Sequence, residues 1–87
     1  MKNFKGMGAV NDSAMKEQKE FLAQLGKRIR QERMQAKLSQ QQLAGKCDFE
    51  KSNMSRLEAG KVNPSILTLR KVCLGLNTSI SDITLGL

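Results

Sequence analysis

The sequence predicts an all-α domain of five helices, and three observations lead there. Aliphatic side chains recur at spacings of three and four residues along most of the chain, the period of a helix with one buried face. The aromatic residues are three, all Phe, which suits an aliphatic helical core and poorly suits strands, where aromatic and β-branched side chains are favoured. Ser or Asp stands ahead of four of the apolar-periodic runs, where a side-chain oxygen can take a free backbone N–H of a first helical turn. A chain of 87 residues fits one domain and leaves no room for a second core.

Residues 1–12 contain Gly6, Gly8 and Asn11 and no helical period, so they read as a loose N-terminal arm carrying Lys2 and Lys5. The domain proper then spans 13–87. Asp12 or Ser13 is placed to cap a long first helix, whose stripe is Phe21, Leu22, Leu25 and Ile29. Lys27, Arg28, Arg30 and Arg33 crowd its last half. Ser39 caps a second helix, with Leu43, Ala44 and Cys47 on one face. Asp48 follows as a turn residue, since Asp tolerates turn geometry better than branched residues do.

Phe49 and Glu50 lead into a third helix that runs to about Ala59, where Gly60 can end it in the left-handed conformation. At about 100° per residue, Met54 and Leu57 lie on one side of this helix. Lys51, Ser52, Ser55, Arg56 and Ala59 fan across the opposite arc, with Asn53 at the boundary and no acid among them. Pro64 blocks continuation of the chain as helix, and Ser65 caps the fourth. Its buried stripe is Ile66, Leu69, Cys73 and Leu76, with Val72 beside it and Arg70 and Lys71 facing out. Asn77 ends it. A short fifth helix starts at Ser79, with Asp82 three positions on in the manner of a capping box, and Ile80 and Ile83 turn inward. Leu85 and Leu87 have no core assignment.

Bulk properties narrow the function. The net charge is +7 and the isoelectric point is near 9.9, a balance that favours a polyanionic partner or serves solubility. Cys47 and Cys73 stand without any histidine, so no metal-ligand spacing exists, and both fall on apolar stripes as small buried hydrophobes. Without His, no nucleophile–base constellation suggests an enzyme. No cofactor is expected. No signal-peptide pattern or membrane-length apolar run is present, and the expected location is the cytoplasm.

The stretch Leu38 to Gly60 closely resembles the helix-turn-helix of the phage repressor and Cro family, also called the XRE family. The residues that carry the resemblance are Leu38-Ser39-Gln40, Leu43-Ala44, Ser52, Met54-Ser55-Arg56-Leu57-Glu58 and Gly60, at the family's spacing. Flanking matches are Leu25-Gly26-Lys27-Arg28-Ile29-Arg30 and Arg33 before the stretch, and Asn63-Pro64-Ser65, Leu69, Val72 and Leu76 after it. The resemblance implies a five-helix lambda-repressor-like DNA-binding domain. One departure concerns Lys37: the family often has Gly there, so Lys37 must strain into a left-handed turn, or the turn differs slightly.

The family docks its second motif helix in the DNA major groove. Carried over position by position, Lys51, Ser52 and Arg56 become base readers, with Ser55 close enough to help. Lys and Arg donate to guanine O6 and N7, Arg in a two-pronged fork. Gln40 matches the family's phosphate-clamping glutamine, and it is also placed to brace the recognition helix. Asn53, Lys61, Asn63 and Thr68 complete the phosphate set. Glu50 either accepts from cytosine N4 or sits favourably at the positive end of the helix dipole. Arg33 and Glu58 match a pair that forms a salt bridge in many members. The arm with Lys2 and Lys5 reads as a frayed terminus or as a basic extension onto DNA.

The implied function is a sequence-specific transcription regulator, a repressor, bound to double-stranded DNA. One helix-turn-helix buries too little surface for tight specific binding, so a homodimer on a palindrome is expected, joined through the C-terminal helix and Ile80 to Leu87. A tail folded back on its own core is the alternative for those last residues. Antitoxins and restriction-system controllers look alike at this length. A protein-interaction module that does not read DNA is the competing class, and no membrane or small-molecule ligand is implied.

Overall fold

A computed structural model describes residues 12–87, and the regular structure among them is entirely helical. The elements are α1 (Asp12–Gln35), α2 (Gln40–Lys46), α3 (Lys51–Glu58), α4 (Ile66–Gly75) and α5 (Ile80–Ile83). The arm expected over residues 1–12 lies outside the described residues, apart from Asp12. Asp12 and Ser13 are both already helical, so neither takes the cap position expected of them.

Three serines start three helices. Ser39 Oγ accepts from the Gln42 backbone N–H at 3.0 Å, while the Ser39 N–H donates to Gln42 Oε1 at 2.8 Å, a reciprocal box. Ser65 Oγ accepts from the Thr68 N–H at 3.1 Å, and Ser79 Oγ from the Asp82 N–H at 3.0 Å. Each such cap contributes about 1 kcal/mol. Glu50 holds the cap position of α3 without a side-chain bond to the backbone.

Left-handed residues stop four helices: Lys37 (φ 60), Asp48 (φ 61), Gly60 (φ 73) and Asn77 (φ 59). Asp and Asn tolerate this conformation because their short side chains bond locally, and Gly meets no clash. Lys has neither advantage and is strained there by about 1 kcal/mol. The turn closes in the usual way all the same, with the Lys37 N–H donating to Met34 O at 3.0 Å and the Leu38 N–H to Arg33 O at 3.1 Å.

The core is aliphatic. It joins Leu25 and Ile29 of α1, Leu43 and Ala44 of α2 with Cys47 after it, and Met54 and Leu57 of α3. From the C-terminal half come Leu69, Val72, Cys73, Leu76 and Ile83. α2 packs on α3 and on α4, α1 lies across α3, and α5 touches both α4 and α1. Both cysteines are buried free thiols, and burial pushes each thiol up, with the nearby Lys71 charge pulling Cys47 partly back. They stay protonated and act as packing residues.

Two glycines set how closely α1 approaches the end of α3. A Cβ on Gly26 would stand 2.5 Å from Glu58 O and 2.6 Å from Leu57 O. A Cβ on Gly60 would stand 2.8 Å from Ala23 Cα. The backbone of α1 therefore rests directly on the last turn of α3, and no other residue type fits at either contact without displacing a helix.

The expected stripes need two corrections, and the tail, left without a core assignment, is found partly folded back. Phe21 is 41% exposed, because it lies one turn before Leu25, beyond the edge of the core. Ile66 is 64% exposed: as the first residue of α4 it stands where the core curves away, and Leu69, one turn later, is the first to reach in. Leu87 packs against the core, while Leu85 is 70% exposed. The tail is drawn back by Arg28, whose guanidinium donates to the carbonyls of Asp82 and Ile83 at 3.3 Å and of Leu85 at 2.9 Å.

Candidate nucleic-acid interface

The turn between α2 and α3 is tight. The Cys47 N–H donates to Leu43 O and Ala44 O, the Asp48 N–H to Gly45 O, and the Phe49 N–H to Ala44 O. Half-buried Phe49 then plugs onto the core beside α3. Met54, fully buried, and Leu57, 3% exposed, pin the inner side of α3. This is why its other side is free: at helical spacing, two buried positions hold eight residues down.

The outer side carries Lys51, Ser52, Asn53, Ser55 and Arg56, all exposed. None of these side chains makes a hydrogen bond or ion pair with the described residues. Every donor they own is therefore available to a ligand. Glu50, also exposed, stands one residue before them and makes no cap bond that would occupy its carboxylate.

The far end of α3 is the opposite case. Glu58 is nearly buried, with a side chain 4% exposed, and receives three bonds. Arg33 Nε donates to its Oε2 at 2.6 Å, Arg33 Nη2 to its Oε1 at 3.0 Å, and Gln40 Nε2 to its Oε1 at 3.0 Å. Arg33 Nη1 also donates to Leu38 O at 2.8 Å. So α1, the entry to α2 and the end of α3 meet on one carboxylate. Two-pronged Arg–carboxylate pairing fixes geometry as well as adding energy. Gln40 spends one of its two N–H groups on Glu58 and keeps the other, since an amide nitrogen carries two.

The remaining phosphate candidates sit on the loop after α3. The Gly60 and Lys61 N–H groups donate to Leu57 O and Arg56 O at 3.1 and 3.0 Å, which turns the chain away from the helix axis and leaves the Lys61 side chain in solvent. Asn53, Asn63 and Thr68 line one cleft of about 420 Å³, together with Lys71 on α4. The Thr68 hydroxyl accepts from Ser65 Oγ at 3.0 Å and keeps its own proton. Structure thus groups the sequence-derived residues into an outward face (Lys51, Ser52, Ser55, Arg56), a cleft rim (Asn53, Asn63, Thr68), and Gln40 at the Glu58 junction. Lys61 is exposed on the loop after α3 and falls in neither group.

Sequence reasoning missed Lys71 as a wall of that cleft. It also missed the contact of Gly26 with the α3 carbonyls. The signal for Gly26 was a glycine inside a helix, where it costs about 1 kcal/mol against Ala and usually has a packing reason. Among the described residues, no group of three His, Cys, Asp or Glu side chains is placed to hold a metal ion, and no helix is long and apolar enough to cross a membrane.

Comparison with curated proteins and with solved structures returns no match. Comparison with family models does return one: the model of a helix-turn-helix domain matches residues 24–84, which contain the Arg33–Glu58 junction, both motif helices and the two closing helices. The chain belongs to the helix-turn-helix domain family, in keeping with its resemblance to the XRE type, and the five helices of its described residues are those of an all-α DNA-binding domain.

Proposed function

We propose that the protein is a sequence-specific transcription regulator of the repressor kind, working as a homodimer on double-stranded DNA. The single observation that carries this reading is the outward face of α3: polar and cationic side chains with no internal partner, on a helix whose opposite side is locked into the core. In the major groove, Lys51 and Arg56 supply donors for guanine, and Ser52 and Ser55 supply hydroxyls that serve any base edge. Gln40, Asn53, Lys61, Asn63 and Thr68 hold phosphates on either side and fix the register. The +7 charge draws the protein to the polyanion.

The dimer contact is assigned to the C-terminal helix and tail. Ile83 belongs to the protomer's own core and Ile80 and Leu87 pack half-buried against it, which leaves exposed Leu85 and the outer sides of Ile80 and Leu87 as the apolar contributors there. Leu74 of α4, 66% exposed, lines the same groove as Ile80 and extends the patch. Exposed apolar clusters of this kind mark interfaces. Two copies joined this way would read half-sites about one helical turn, roughly 34 Å, apart.

The test is binding to duplex DNA across a salt series. With several phosphates held by each protomer, log K against log salt should fall with a slope of roughly −4 or steeper, at about −0.9 per phosphate. A flat response sinks the reading and leaves a protein-interaction module in its place.

A further inference from the structure

Among the residues that carry helix-ending left-handed geometry, Lys37 is the misfit. Asp48, Asn77 and Gly60 are residue types that adopt this conformation readily, and Lys is not. A strained residue persists where the surroundings over-determine it, and such residues cluster at functional sites. The surroundings here are specific. Arg33 holds the carbonyl of the next residue, Leu38, at 2.8 Å and grips Glu58 with the rest of its guanidinium. Gln40, three positions on, is tied to the same carboxylate. The backbone that carries Lys37 is thus clamped on the C-terminal side of the turn, at the edge of the motif where Gln40 stands. Its side chain is exposed and forms no ion pair among the described residues, whose one salt bridge is Arg33–Glu58.

We infer that Lys37 is a further DNA phosphate contact, three positions ahead of Gln40 at the entry to the motif. The inference rests on the DNA-binding reading and adds a residue to it. A clamped turn delivers the ammonium from a fixed backbone position, so less chain freedom is lost on binding than for a cation on a loose segment. The competing account is that Lys37 merely offsets the negative end of the α1 dipole. That account concerns the fold alone.

The two accounts part in the variant Lys37→Gly, made in the full chain. Glycine relieves the left-handed strain. The contact predicts that melting temperature rises or holds while DNA affinity falls, by the same factor on a selected duplex and on a scrambled one, because phosphates carry no sequence information. It also predicts that the salt slope loses about 1 per protomer. Lys37→Arg keeps the charge and should keep the slope. Lys19→Ala, on the exposed half of α1, serves as the control for loss of a positive charge at large and should leave the slope unchanged. An unchanged slope in Lys37→Gly, with wild-type protein binding steeply, overturns the contact and spares the DNA-binding reading. A flat slope in the wild type overturns both.

Discussion

Arg33 and Arg56 carry the same guanidinium and are put to opposite uses. Arg33 is 11% exposed at its side chain, and its donors go to Glu58 and to Leu38 O. Arg56 is exposed and bonds to nothing among the described residues. One is a fastener between α1 and α3, and the other is left for a ligand. Charge in this protein is therefore not one property spread over a surface. It divides into a spent part that fixes where α3 sits and an unspent part that α3 displays. The comparison teaches that the display depends on the fastening, since the bonds of Arg33 and Gln40 to Glu58 fix where α3 sits.

The largest expected effect comes from breaking the fastened side. Glu58→Ala leaves Arg33 nearly buried without its partner and Gln40 without its acceptor. Loss of one member of a buried pair costs about 3–5 kcal/mol, far more than a surface change of about 0.5 kcal/mol or less. Chemical denaturation measures it. In a double-mutant cycle with Arg33→Ala, the combined loss should be well below the sum of the singles. Simple additivity would mean the pair is not coupled and the contrast with Arg56 is empty.

Arg56→Ala tests the other side and should have a middling effect of a different kind. Melting should not move, because the side chain touches no core residue. Discrimination at one base pair per half-site should drop by about 1–3 kcal/mol if the fork to guanine is made. Equal weakening on cognate and scrambled duplexes would place Arg56 among the phosphate contacts.

The smallest effect sharpens the boundary between buried and displayed surface. Ile66→Ser should change stability by about 0.5 kcal/mol or less, as exposed positions do. Leu69→Ser, one turn along the same helix and 7% exposed, should be destabilised by several-fold more, through lost burial and a hydroxyl put into the core. Equal losses would mean that Ile66 is covered in solution, by a second copy or another partner.

How much of this was legible in the sequence follows from the range of each signal. The caps at Ser39, Ser65 and Ser79 are contacts across three residues, and local chemistry decides them. The inner side of α3 was legible because Met54 and Leu57 alone define it, and the outward face is its complement. Periodicity gives the direction of a buried face around a helix axis. It does not say where along that axis the core ends, and Phe21 and Ile66 fail for that reason. The sequence reads Gln40 as a phosphate clamp also placed to brace the recognition helix, and its bond to Glu58 at the end of α3 bears out the brace, although that partner lies 18 positions away. The contact of Gly26 with Glu58 O spans 32 and depends on two helices crossing backbone to backbone. Arg28 was read as one more cation on a basic half-helix, while its bonds reach more than fifty residues ahead to the tail.

The long first helix carries one further consequence. From Leu25 onward, α1 is held by core packing, by Gly26 on the α3 carbonyls, and by Arg28 and Arg33. From Asp12 to Phe21 nearly all of its side chains face water. A helix without tertiary support is marginal at such lengths. The same continuous ladder of hydrogen bonds therefore spans two regimes of local stability. Its first three turns, with few buried contacts, should open at a lower free energy than its last three, which hold the core and the Glu58 junction. The domain's cooperative unit begins near Leu22, inside a helix and not at its end.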